Sequence, residues 1–204
     1  MHIAQLCYAA FMELSPDALD RVLTALAEQL LADGAAFELV VIGGSALLAL
    51  GHATRTTKDV DVVALAEDGA LRIARPLPEP LEQAAARVMR DFGLPGGWLN
   101  TGPTDLLRWG LPEGFWERTV VRHYGPALTV RFAGRRDQVH FKLYAAVDRS
   151  GGRHEADLRA LPPTDEELVA AAKWSIGHDP SPGYRALLEQ ALTQLGVDDV
   201  DLDA

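Results

Sequence analysis

The segment VVIGGSALLALGHATRTTKDVDVV, residues 40–63, constrains the fold more than any other part of the chain. β-formers from Phe37 to Ile42 stop at Gly43-Gly44-Ser45, and a short apolar helix follows. Arg55-Thr56-Thr57-Lys58 then leads into a second β-run carrying Asp59 and Asp61. Strand residues two apart point to the same face, so these carboxylates project side by side at the strand's start. Adjacent carboxylates repel and cost stability unless a cation lies between them. Hard dications such as Mg²⁺ bind through one or two carboxylates together with phosphate oxygens. A glycine-rich turn opening a helix is the complementary half, because its free N–H groups and the helix dipole attract phosphate.

Around this segment the hydrophobic pattern predicts an α+β fold. Ser15-Pro16 is a helix start, Leu19, Val22, Leu23, Leu26 and Leu30 recur at helical spacing, and Gly34 ends the run. Phe37–Ile42 reads as a strand buried on both faces, Ser45–Leu50 as a short helix and Asp59–Leu65 as the second strand. Leu81, Ala84, Ala85, Val88, Met89 and Phe92 mark the core stripe of a third helix. Residues 94–117, rich in Gly, Pro and Trp, read as a long irregular connection. Its Trp98, Trp109 and Trp116 serve either as anchors to the core or as a surface on which a base stacks. Thr119–Tyr124 and Leu128–Phe132 read as a hairpin turning at Gly125-Pro126, and the rest as helices, with a capping box at Thr164 and a start at Ser181-Pro182. The expected arrangement is a mixed sheet flanked by helices, divided into a core at 1–133 and a C-terminal helical region at 134–204 packed on it.

The chain has 204 residues, 48% of them hydrophobic, enough for one domain with a sizeable core. No apolar run approaches the ~20 residues that span a bilayer, and the first residues lack a basic leader, so a cytoplasmic protein without membrane contact is expected. The single cysteine, Cys7, fits a reducing compartment and reads as a small buried hydrophobe. A net charge of −10 argues against a broad nucleic-acid binder. Residues 131–159 nevertheless hold seven basic against four acidic side chains, net +3, suited either to a triphosphate or RNA end or to a solvated helix surface. The histidines show no zinc spacing; only His154 lies close to other candidate residues.

The order Ile42-Gly43-Gly44-Ser45, helix, Asp59-Val60-Asp61-Val62, with 13 residues between Ser45 and Asp59, resembles the nucleotidyltransferase superfamily. The resemblance implies a polymerase-beta-like core and transfer of a nucleoside monophosphate from an NTP to an acceptor, with Mg²⁺ bridging carboxylates and triphosphate. Asp59 and Asp61 would then be metal ligands and catalytic. Gly43, Gly44 and Ser45 would hold phosphates, and Arg55 and Lys58 would neutralise them, with exposed loop charges as the plainer reading of those two. Many members carry a third carboxylate on the strand after the aspartate pair. The matching strand, Leu128–Phe132, has none, and Arg131 stands there instead.

A second block, Lys142-Leu143-x-Ala145-x-x-Asp148-Arg149 followed by His154-x-x-Asp157-Leu158, resembles the signature of AbiEii-type nucleotidyltransferases of toxin–antitoxin systems. It implies a phosphate-contacting, catalytic Lys142 and an Asp157 beside the metal as candidate base, although the two could equally form an interhelical ion pair. Partners implied are an NTP, an acceptor that is tRNA, protein or a small molecule, and an antitoxin protein. The alternatives are an aminoglycoside- or lincosamide-type enzyme and a catalytically degenerate nucleotide-binding module.

Overall fold

The computed structural model describes residues 11–148, 152–198 and 200–202. Cys7, Arg149, Asp199 and Asp203 lie outside the described residues. Helix α1 (Pro16–Ala32) starts where expected, with the Ser15 hydroxyl accepting from the Ala18 N–H and proline in the first turn. Its buried leucines lie against strand β1 (Phe37–Ile42), which passes directly into helix α2 (Gly43–Ala49). Strand β2 (Val60–Glu67) returns antiparallel to β1, and a tight turn at Asp68-Gly69 continues it into β3 (Ala70–Arg72). Helix α3 (Glu79–Phe92) stops at Gly93, which adopts the left-handed conformation that ends helices.

The segment expected to be irregular is more ordered than its composition suggested. It contains β4 (Leu99–Asn100), a 3-10 turn (Gly102–Asp105), the one-turn helix α4 (Leu106–Trp109) and a second 3-10 turn (Trp116–Arg118). The hairpin of β5 (Val120–Tyr124) and β6 (Leu128–Phe132) follows as predicted. Helices α5 (Arg135–Asp148), α6 (Arg153–Ala160), α7 (Asp165–Ile176) and α8 (Pro182–Gln194) complete the chain, with the capping box at Thr164 and the Ser181 cap in place.

The sheet runs β3-β2-β1-β6-β5, with β4 beside the start of β2. It is mixed, since β1–β6 and β2–β4 are parallel and the other pairs antiparallel. Its two faces bury different residues. Leu39, Val41, Val60 and Val62 pack with α1 and α3, whereas Val40, Ile42, Val63 and Ala64 pack with Phe115 and with Phe141 of α5. Alternation along β1 thus covers both faces, which is why its sequence is apolar from Leu39 to Ile42. A third cluster joins α5, α7 and α8 to Leu47, so α2 is wedged between the sheet and the C-terminal helices. No helix among the described residues is long and apolar enough to cross a membrane.

Candidate active site

The site forms where β1 ends. Ile42 pairs with Asp61 across the antiparallel ladder, so the diglycine leaves the sheet level with the second aspartate. Gly43 has φ of 75°, a left-handed conformation that favours glycine. A Cβ there would overlap Asp61 Oδ2 and lie 3.2 Å from the carboxyl carbon. Gly44 stands in the same relation to the strand's approach: a Cβ on it would lie 3.1 Å from Thr57 Oγ1, and that hydroxyl donates to Asp59 Oδ1 at 3.1 Å. Gly43 therefore makes room for Asp61 itself, and Gly44 for the threonine that holds Asp59.

Asp61 is further fixed by its neighbour in the parallel β4–β2 pair. Asn100 lies opposite it and donates from Nδ2 to Asp61 Oδ1 at 2.7 Å, while Asn100 Oδ1 accepts from the Gly102 N–H at 2.9 Å. Burial pushes the Asp61 carboxyl up and the charge of Asp59 adds to this, against the Asn100 hydrogen bond and the positive charges of Lys142 and Arg153. A pair of hard oxygen donors strained in this way fits a dication. Among the described residues, no group of three or more His, Cys, Asp or Glu side chains forms a metal cluster, so further ligands would come from substrate and water.

Helix α5 supplies the opposite wall. Residues 137–143 are all buried, polar ones included, because the helix is covered on every side. Gln138 and Lys142 stand one turn apart on one face. Gln138 is fully buried, and its Oε1 accepts from the Gly43 N–H at 3.2 Å. Lys142 is 4% exposed and its Nζ lies 2.8 Å from Asp157 Oδ2 on α6. Arg55, from the loop before β2, closes on the same carboxylate, Nε to Oδ1 at 2.7 Å and Nη2 to Oδ2 at 2.5 Å. Burial alone would raise the Asp157 acid, but the hydrogen bonds from Arg55 and Lys142 outweigh it and hold the carboxyl below its ordinary range. Burial lowers the Lys142 ammonium, opposed by the Asp157 hydrogen bond.

Asp59, Asp61, Gly43, Asn100 and Lys142 line a cleft of about 370 Å³. Phe141, Tyr144, Ala145, Arg153 and His154 form its helical wall, and Pro103, Asp105, Leu106 and Trp109 the facing one. The structure thus gathers Gly43, Asp59, Asp61 and Lys142 into one cleft. The other five sequence candidates, Gly44, Ser45, Arg55, Lys58 and Asp157, are not among the residues lining it. Ser45 is fully buried with its hydroxyl turned back toward the Ile42 carbonyl, so that side chain does not reach the cleft. Arg55 does not line the cleft but is committed to Asp157, and Lys58 is exposed outside it. Asp157 has both oxygens occupied by cations, the ion-pair alternative, which makes it a poor proton acceptor.

Arg131, on the strand where many nucleotidyltransferases carry a third carboxylate, pairs with Glu38 and places its guanidinium 3.9 Å from the centre of the Trp116 ring. Much of the basic window is neutralised in this manner, by Arg135–Glu167, Lys142–Asp157 and Arg159–Glu155. Asn100, Gln138 and Arg153 are the residues that the sequence did not single out. Gln138 was traceable, since it stands four residues before Lys142; Arg153 was legible only as one of the seven basic side chains of residues 131–159, and Asn100 carries no pattern.

No curated protein and no solved structure matches the chain. Residues 18–151, well over half of it, match the family model described as a nucleotidyltransferase of unknown function. The matched region contains both glycines, both aspartates and Lys142, and ends before Asp157. The chain belongs to that nucleotidyltransferase family (DUF6036).

Proposed function

We propose that the cleft transfers a nucleoside monophosphate from an NTP to an acceptor hydroxyl with the help of Mg²⁺. The observation carrying this reading is the Gly43–Asp61 contact, which sets a side-chain-free bend against a carboxylate that shares the cleft with Asp59. Asp59 and Asp61 would hold the dication, which supplies charge neutralisation for the triphosphate and the leaving group. Lys142, desolvated at the cleft wall, offers its ammonium to phosphate oxygens, and Arg153 adds positive charge on the same side. Gly43 allows close approach, but its own N–H is already used by Gln138, so the bend supports the site by shape more than by that donor.

In the transfer, the acceptor oxygen bonds to the α-phosphorus, the bond to the bridging oxygen breaks, pyrophosphate leaves and the hydroxyl proton is lost to solvent. Asp157 acts in this reading by holding Lys142 in place, and Arg55 by holding Asp157. Lys142, close enough to act on the charge of Asp61, suits the phosphate contact that the AbiEii-like, toxin-type version of the function asks of it, whereas Asp157, held by two cations, would not serve there as the base. Incubation with Mg²⁺, α-labelled NTPs and a cell extract should label an acceptor, and Asp61→Ala should abolish the label. Equal labelling by both proteins would overturn the proposal. Growth arrest on expression, relieved by Asp59→Ala, distinguishes the toxin version from an antibiotic-modifying one, which instead raises the inhibitory concentration of its drug.

The lack of a third clustered carboxylate among the described residues favours one second reading, a module that binds NTP without turnover. Calorimetric binding of Mg²⁺–NTP with no transfer to any acceptor would support it.

A further inference from the structure

Trp109 stands apart from the other tryptophans. Trp98 is buried and donates its indole N–H to the Ala85 carbonyl. Trp116 lies under the Arg131 guanidinium. Trp174 donates to the Gly110 carbonyl at 3.1 Å and packs edge-on against Phe141 and Tyr144. Trp109 is 68% exposed, yet it lines the same cleft as Asp59, Asp61 and Lys142.

Its exposure is built in. The segment carrying it is tied on one side by Thr104, whose hydroxyl accepts from the Ala74 N–H at 2.8 Å. Arg75 and Arg108 both bind Asp105 between these ties, and on the far side the neighbouring Gly110 is held by Trp174. A large aromatic ring kept in water beside a polar cleft exposes apolar area that a flat heterocycle can cover. On the opposite wall the Phe141 ring is engaged edge-on by Phe115 and Trp174, and the Tyr144 ring packs against Trp174, His178 and Tyr184.

We propose that Trp109 is the platform on which the base of the incoming nucleotide stacks, with the triphosphate running from it toward Asp59, Asp61 and Lys142. The inference rests on the nucleotidyltransferase reading and adds the part of the substrate that the carboxylates do not touch. Stacking reads a π-face and no donor–acceptor pattern, so it binds any base, with the larger purines covering more of the indole.

The test compares binding of a non-hydrolysable Mg²⁺–NTP analogue with binding of Mg²⁺–tripolyphosphate, which has the charge and no base. Trp109→Ala should weaken the NTP analogue on the order of tenfold and leave tripolyphosphate unchanged, with Trp109→Phe between the two. Unchanged NTP affinity in Trp109→Ala overturns the platform and leaves the transferase reading standing. Equal loss for both ligands also overturns it, since the effect then lies with the phosphates or the fold. Failure of the unsubstituted protein to bind either ligand sinks the transferase reading itself.

Discussion

Asp61 Oδ2 occupies the place that a Cβ on Gly43 would take, and the strand ladder sets Asp61 directly opposite the residue before the bend. Gly43→Ala must therefore move the carboxylate or the turn, and it also puts a side chain on a left-handed φ of 75°. The conformational part costs about 1–2 kcal/mol. Displacing a reacting group by about 1 Å costs on the order of a hundredfold in rate. Expected is a folded protein of reduced melting temperature with transfer down by about that factor, read by circular dichroism and labelled-NTP transfer. Full activity in this variant would disconnect the bend from the chemistry.

Asp61 also governs how the metal-free protein responds to pH. Its folded pKa is raised, so the native state binds more protons there than the unfolded chain. The stability that this group contributes is present below the ordinary aspartate range near ~4 and lost as pH rises through the folded value. At neutral pH an ionised Asp61 beside Asp59 is a burden that a dication would relieve. Asp61→Asn keeps an oxygen to accept from Asn100 and removes the charge. It should raise the metal-free melting temperature and erase the upward shift that Mg²⁺ is expected to give the unsubstituted protein, both measured by thermal denaturation at pH 7. Identical Mg²⁺ shifts in the two proteins would remove Asp61 from the metal site.

Asp157 behaves with the opposite sign. Its folded pKa is lowered by Arg55 and Lys142 against the pull of burial. The stability it contributes is present above the ordinary aspartate range and lost as pH falls through the folded value. Asp157→Ala leaves the buried Lys142 ammonium without its carboxylate, and breaking such a pair costs ~3–5 kcal/mol. The deficit should shrink below about pH 4, where the unsubstituted protein loses the same contribution. The double variant Lys142→Met with Asp157→Leu should recover much of the loss and stay inactive. Urea unfolding across pH separates these outcomes from a surface pair, whose removal would change little at any pH.

What was legible in the sequence follows from what is local. Caps at Ser15, Thr164 and Ser181, the apolar run of β1 and the hairpin at Gly125-Pro126 are encoded within a few residues, and the structure has them. The short strands β3 and β4 were not legible, because two or three residues carry too little periodicity to separate from a turn. The same limit applied to the site. Gly43 and Asp61 are tied by a spacing within one segment, whereas Arg55 and Asp157 meet across 102 positions, a pairing that only the packing of α6 beside the β2 approach creates. Arg55 was accordingly read for its charge and proved to be spent on a carboxylate.

Ser45 and Gln138 give the sharpest contrast between motif and environment. Ser45 fills a motif position, but its hydroxyl is buried and its nearest acceptor, the Ile42 carbonyl, is at 3.5 Å. Such a contact contributes little, so Ser45→Ala should keep transfer within about threefold and change stability by less than ~1 kcal/mol. Gln138 fills no motif, yet it accepts the buried Gly43 N–H, the donor that fixes the bend beside Asp61. Gln138→Ala leaves that donor unsatisfied, at a cost of about 1–3 kcal/mol, and loosens the bend. Gln138→Glu keeps an acceptor but adds a third negative charge to the fully buried wall behind the aspartates. It should lower metal-free stability without raising the concentration of Mg²⁺ needed for half-maximal activity, because an added negative charge near the aspartates favours a dication. Matched transfer rates and melting curves for the three variants decide the point, and a Ser45→Ala protein as inactive as Gln138→Ala would restore the serine hydroxyl to the phosphate site.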